Sequence, residues 1–209
     1  MEIIGLILLS YLCGSIPFGF LIAKYYAKID IRQHGSGNIG ATNVMRNLGK
    51  KPAIFTLVAD IIKGVIPVTF IANAFGLVDA LSLVIIAVAA VAGHNWTIFL
   101  GFKGGKGMAT SLGVLIGLAI QFQVLRIILL LVLVTWTVLF LLFGFVSLAS
   151  ICAAVLFPIL MVVFLEPLPL IIMSIVLCVF IVFRHSSNIK RLAKGQENRV
   201  SFPFRKRSS

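Results

Sequence analysis

Long apolar runs alternate with short polar ones along almost the whole chain. Their positions predict seven helices: 3–23, 53–72, 80–93, 108–120, 127–143, 145–165, and a last run from 168 that ends near Phe183. A helix rising about 1.5 Å per residue needs about 20 apolar residues to cross a hydrocarbon core of about 30 Å. Most of the runs meet or approach that length; 108–120 is short by the same measure. Gly14, Ser15 and Pro17 interrupt the first run. Lipid tolerates such a break only where neighbouring helices take up the freed carbonyls.

Three of the polar passages are chemically richer than turns. The first is Gly35-Ser36-Gly37-Asn38-Ile39-Gly40-Ala41-Thr42-Asn43-Val44-Met45-Arg46. The second is Gly101-Phe102-Lys103-Gly104-Gly105-Lys106-Gly107. The third, Arg184-His185-Ser186-Ser187-Asn188-Ile189-Lys190-Arg191, follows the last run and continues into Gly195-Gln196-Glu197-Asn198-Arg199.

Composition turns the apolar runs into membrane spans. Of 209 residues, 60% are hydrophobic and 11% charged, and the mean hydropathy is +1.13; soluble domains hold about 45–50% apolar residues. The expected fold is therefore all-α: a polytopic membrane protein of seven transmembrane helices with cytoplasmic interfacial loops. Residues 1–209 make a single integral membrane domain with a basic cytoplasmic tail from about 184. Glu2 is the only early charge, so the first run is expected to stay in the membrane and not to be cleaved as a signal peptide.

The net charge of +12 does not point to nucleic acid, because the basic residues lie between apolar runs and no soluble basic module is left to read a groove. Charge instead sets the topology. With the N-terminus outside, every Lys and Arg except Arg126 and the intramembrane Lys63 falls on the inner side, including Arg205, Lys206 and Arg207 of the tail. All three polar passages then share the cytoplasmic face. Cys13, Cys152 and Cys178 sit apart within apolar runs, so neither a disulfide nor a metal site is expected.

The first passage spells G-x-G-x-x-G, but no strand precedes it, so the dinucleotide reading is rejected. Its glycine backbone, with Ser36, Asn38, Thr42, Asn43 and Arg46, remains a candidate phosphate cradle; a flexible turn explains the glycines equally well. The second passage resembles a P-loop yet has glycine after Lys106 where Ser or Thr would hold magnesium. It still sets Lys103 and Lys106 beside an open glycine backbone. Asp60 and Lys63, three apart on one helix face, are either a structural ion pair or support for the site. His94 and His185 sit at inner span ends, each either a base or a hydrogen-bonding pin.

The ordered set of motifs resembles the bacterial acyl-phosphate:glycerol-3-phosphate acyltransferases, seven-span inner-membrane enzymes. The resemblance rests on Gly14-Ser15-Ile16-Pro17-Phe18-Gly19, the three passages, Asp60 to Gly64, Gly93-His94 and Ser147 to Ser150. It implies acyl transfer from acyl phosphate to the sn-1 hydroxyl of glycerol 3-phosphate, giving lysophosphatidate and phosphate. It further implies His185, Asn188, Ser36, Arg46 and Lys106 as catalytic residues. Gly37, Asn38, Gly40, Thr42, Asn43, Lys103, Gly104, Gly105, Glu197 and Arg199 would bind substrate, with Asp60, Lys63 and His94 supporting them. The implied partners are acyl phosphate, glycerol 3-phosphate and membrane lipids, with no nucleic acid, cofactor or metal, in a chain active as a monomer at the bacterial inner membrane. A carrier for phosphate-bearing solutes or lipids is the alternative that the same motifs allow.

Overall fold

The structure, a computed structural model, describes residues 2–200. The last part of the basic tail, with Arg205, Lys206 and Arg207, lies outside the described residues. Among the described residues all regular elements are helical. Helices α1 (Glu2–Ser15) and α2 (Phe18–Ala27) form the broken first unit, and α3 (Ala41–Leu48) is a short helix carrying Arg46. Helix α4 (Lys50–Ile66) runs through a π-helical turn at Pro67–Ile71 into α5 (Ala72–Ala74). Then come α6 (Ala80–Asn95), α7 (Met108–Gln121), α8 (Val124–Phe143), α9 (Val146–Val163), α10 (Leu168–Arg184) and α11 (Ser186–Ala193).

The seven apolar units appear in the expected order; most ends shift by a few residues, and two differences have simple causes. Helix α4 begins at Lys50 and not at 53, because Pro52 falls in the first turn, where no N–H is needed. Helix α7 has only 14 residues, about 21 Å of rise. It is enclosed by α4, α6 and α8 and buries most of its side chains against protein, so it does not need the full length of a lipid-facing span. Five stretches are each long and apolar enough to cross a membrane, and α10 with α11 qualifies as a pair bent by 59°.

The first unit breaks at Ile16-Pro17, and its neighbours repair the break. Thr97 donates its hydroxyl to the Ser15 carbonyl, and Lys63 donates its ammonium to the Ile16 carbonyl at 2.7 Å. The same ammonium lies 2.8 Å from the Asp60 carboxylate. Both partners are almost wholly buried, so their charges are satisfied inside the protein.

Small residues set the helix spacing. A side chain at Gly14 would overlap the Ala90 backbone, and one at Gly64 would overlap Thr110. Lipid tails offer no hydrophobic drive between helices, so backbones that approach this closely hold the bundle by packing. Leu83, Ile86, Leu118, Leu125, Ile128, Met161, Leu170 and Met173 fill its centre.

Candidate active site

The first polar passage folds around Asn43. Its side-chain oxygen accepts the Ser36 N–H at 2.9 Å. Its side-chain nitrogen donates to the carbonyls of Ile31, His34 and Asn38 at 3.2, 3.0 and 2.8 Å. Gly37 N–H donates to the His34 carbonyl, and Gly40 N–H to the Asn38 side chain. Asn43 and the amides of Ser36, Gly37 and Gly40 are thus used within the loop. The glycine backbone expected to cradle an anion is instead what gives the loop its shape, and the Ser36 hydroxyl and the Arg46 guanidinium are the groups it presents.

The second passage departs from expectation in the same way. Gly104 N–H donates to the Asn95 carbonyl at 3.2 Å and Gly105 N–H to the His94 carbonyl at 2.9 Å, both at the end of α6. Their own carbonyls accept from Arg184, Nη2 to Gly104 at 2.6 Å and Nε to Gly105 at 2.8 Å. A Cβ at Gly105 would overlap the His94 ring, and one at Gly104 the His94 carbonyl. The glycines here permit close packing, and the Gly104 and Gly105 backbone is used within the protein. His94 itself is buried, with Nδ1 3.6 Å from the Asp60 carboxylate. Asp60, Lys63 and His94 therefore form a buried base beneath the loop.

The third passage supplies a connected network. Lys106 Nζ donates to the Asn188 side-chain oxygen. Asn188 Nδ2 donates to Glu197 Oε1 at 2.6 Å, Ser147 Oγ donates to the same oxygen at 3.0 Å, and Arg191 Nε donates to Oε2 at 2.7 Å. Burial alone would raise the Glu197 pKa, but these donors hold it below the usual carboxylate value. Lys106 is pushed down to about 8 by burial, opposed by Glu197 and reinforced by Arg191, Arg46 and Arg184. A group of cations this close repels itself until an anion arrives. Affinity for a phosphate-bearing ligand is accordingly expected to fall as pH rises through about 8, where Lys106 loses its proton. Titration calorimetry with glycerol 3-phosphate at pH 7 and pH 9 checks this, and unchanged affinity would contradict it.

His185 is buried at the bend between α10 and α11, with Nδ1 2.8 Å from the Ile181 carbonyl. A carbonyl only accepts, so Nδ1 carries the proton and Nε2 keeps its lone pair. Burial, with the nearby Lys106, lowers the pKa to about 4, so the ring is neutral at physiological pH.

All three passages line one cavity of about 560 Å³. Ser36, Gly37 and Asn38 come from the first, with Arg32 just before it; Lys103, Gly104 and Lys106 come from the second; and Arg184, Ser186, Ser187 and Arg191 come from the third, with Phe183 just before it. A smaller cavity of about 370 Å³ is lined by Gly35, Ser36, Arg46, Arg191 and Asn198. The two share Ser36 and Arg191.

Several expected residues stand elsewhere. Gly40 caps α3, Thr42 is exposed on its first turn, and Asn43 and Gly105 shape their loops. His185, Asn188 and Glu197 stand outside the two linings, the last two tied to Lys106 by the hydrogen bonds above. Arg199 lines neither cavity: its Nε donates to the Phe143 carbonyl at 2.8 Å, and the guanidinium lies 5.6 Å from the Phe145 ring centre. Sequence reasoning passed over Arg32, Arg184, Ser186, Ser187, Arg191 and Asn198 as individual site residues. Most lie in the third passage, where the break of direction after α10 turns its consecutive residues toward different surroundings.

Residues 4–195 match the family model described as glycerol-3-phosphate acyltransferase. The chain belongs to the glycerol-3-phosphate acyltransferase family. A glycerol-3-phosphate acyltransferase from Endomicrobium trichonymphae is 44% identical over 197 residues, 93% of this chain and 94% of that one. One from Geotalea daltonii is 46% identical over 197 residues, 93% and 96% of the two chains. The fold is similar to the crystal structure of PlsY (YgiH), an integral membrane glycerol 3-phosphate acyltransferase, in its glycerol 3-phosphate form. The TM-score is 0.87 at 39% identity, with 96% of both chains covered. The lysophosphatidic acid form of the same protein gives 0.85 at 38% identity. Membership of an acyltransferase family sets aside the reading of the chain as a carrier.

Proposed function

We propose that this glycerol-3-phosphate acyltransferase takes its acyl group from acyl phosphate and transfers it to the sn-1 hydroxyl of glycerol 3-phosphate. The hydroxyl oxygen bonds to the acyl carbon, and the bond from that carbon to the phosphate oxygen breaks. Inorganic phosphate leaves with the electron pair, and the hydroxyl proton passes to phosphate oxygen. Acyl phosphate is a mixed anhydride, so no covalent enzyme intermediate is needed.

The observation that carries this reading is the pair of adjoining cation-lined cavities that share Ser36 and Arg191, a lining suited to two phosphates. Ser36 and Arg46 grip one phosphate, and Lys106 with Lys103 grips the other. Holding both anions side by side supplies proximity, and the ammonium and guanidinium groups stabilise the charge that develops on the carbonyl and leaving oxygens. The charge asymmetry of the loops supports a site on the cytoplasmic face of the inner membrane, with the N-terminus outside and the C-terminus inside. The helices that carry the three passages pack on one another, which supports a single membrane domain.

The test is release of phosphate from palmitoyl phosphate by purified protein. Release that requires glycerol 3-phosphate and yields lysophosphatidate is expected; release independent of it, or none, would refute the proposal.

His185 orients and does not act as the base, because a ring neutral down to about pH 4 is a weak proton acceptor at pH 7. His185→Gln, which keeps a hydrogen-bonding group, is expected to lower kcat by about 10-fold and to leave the acid limb of the pH–rate profile in place. Disappearance of that limb would make His185 the base after all.

A further inference from the structure

The one strong charge in the site whose fork is spent on main chain is Arg184. It is the last residue of α10, half-buried, and at the wall of the larger cavity. Its Nη2 and Nε donate to the consecutive carbonyls of Gly104 and Gly105. On the opposite side the amides of the same two residues are held by the Asn95 and His94 carbonyls, and the His94 ring closes against Gly105. The next residue in the chain is Lys106, whose ammonium is held by Asn188, four residues beyond Arg184. The stretch 184–188 therefore grips the second passage twice, by its backbone before Lys106 and by the tip of Lys106 itself. A bend of 59° between α10 and α11 accompanies this double grip.

We infer that Arg184 is a positioning residue for acyl transfer, a two-toothed clamp on the Gly104 and Gly105 carbonyls that fixes the backbone from which Lys106 reaches its substrate. A planar fork meets two adjacent carbonyls with two donors held in one rigid plane, whereas a lysine would have to reach both from a single nitrogen. The groups facing Lys106 are Asn188 and Glu197, with Arg46, Arg184, Arg191 and His185 around them. None but Arg184 touches the loop backbone among the interactions found for the described residues. The inference rests on the proposed acyl transfer, and the experiment separates the two. Wild-type protein that fails to release phosphate from palmitoyl phosphate defeats the reaction. Active wild-type protein with the wrong pattern of variants defeats the clamp.

The variant is Arg184→Lys, which keeps the charge and the aliphatic stem. Two measurements are made on the full chain in detergent. Amide hydrogen exchange over residues 103–108 is expected to accelerate at least 10-fold, with exchange in the rest of α10 unchanged. In turnover, kcat/KM is expected to fall at least 10-fold in the wild-type background and less than 2-fold when Lys106→Met is already present, because Arg184 acts through Lys106. Exchange that is unchanged, or that rises throughout α10, overturns the clamp. So does an equal fold-loss in both backgrounds, which would mean that Arg184 acts on the substrate or on stability independently of Lys106. If the Lys106→Met background is too slow to assay, the exchange result decides.

Discussion

Lys106→Met is expected to lower turnover about 1,000-fold while the protein remains folded. Lys106 stands where the three polar passages meet. It lines the larger cavity, it is bonded to Asn188, and through Asn188 it reaches Glu197, Ser147 and Arg191. Methionine keeps much of the stem and removes the only ammonium in this network. The loss then falls on the step in which negative charge moves onto the departing phosphate. Steady-state kinetics with both substrates varied, together with a thermal melt, checks the expectation. A loss under about 3-fold would remove Lys106 from the chemistry, and a large fall in melting temperature would reassign the loss to folding. Lys106→Arg is not expected to rescue, because a guanidinium is planar and longer than the ammonium that Asn188 accepts.

The second large effect belongs to the buried base of the site and is one of stability. Lys63→Met leaves the Asp60 carboxylate without its 2.8 Å partner and the Ile16 carbonyl without its donor, both inside the membrane region. Breaking a buried pair on one side costs about 3–5 kcal/mol, because the remaining charge is stranded. A thermal melt in detergent is expected to show a clear drop, with loss of the native fold at physiological temperature as the extreme. Adding Asp60→Asn in the same chain is expected to restore part of it by removing the stranded charge. A Lys63→Met protein as stable as wild type would show that the ion pair holds nothing together. Failure of Asp60→Asn to recover any stability would place the damage in the broken first unit instead.

What could be read from the sequence was whatever depends on spacing and composition. Seven apolar runs gave seven helical units, and Gly14, Ser15 and Pro17 marked the break whose carbonyls Thr97 and Lys63 now satisfy. Asp60 and Lys63 were placed on one face by their separation, and the structure pairs them. Ser36, Arg46, Lys103 and Lys106 were legible as cations and donors near glycines, and all four line a cavity.

The direction in which each hydrogen bond points was not legible. Glycine-rich stretches suggest amides open to a ligand, yet Asn43 takes the Ser36 amide, His34 and Asn38 take those of Gly37 and Gly40, and the end of α6 takes those of Gly104 and Gly105. A local sequence does not show a partner 10 or 80 residues away, such as the Arg184 clamp on Gly104. Arg32 was overlooked for a related reason: its pairing with Asp30 at 2.6 Å reads as a surface contact until the cavity beside it is seen. Arg199 entered the site through the resemblance, as part of the third passage, and its guanidinium is found on the Phe143 carbonyl at the turn after α8.

The proposed anion-holding pocket is enclosed by three separated passages, and proximity across it can be measured directly. Ser36 and Ser187 line the larger cavity from the first and third passages. With Cys13, Cys152 and Cys178 replaced, the pair Ser36→Cys and Ser187→Cys is treated with a short bifunctional maleimide. An intramolecular cross-link that forms readily is the expected result. A pair that does not cross-link would contradict a shared pocket.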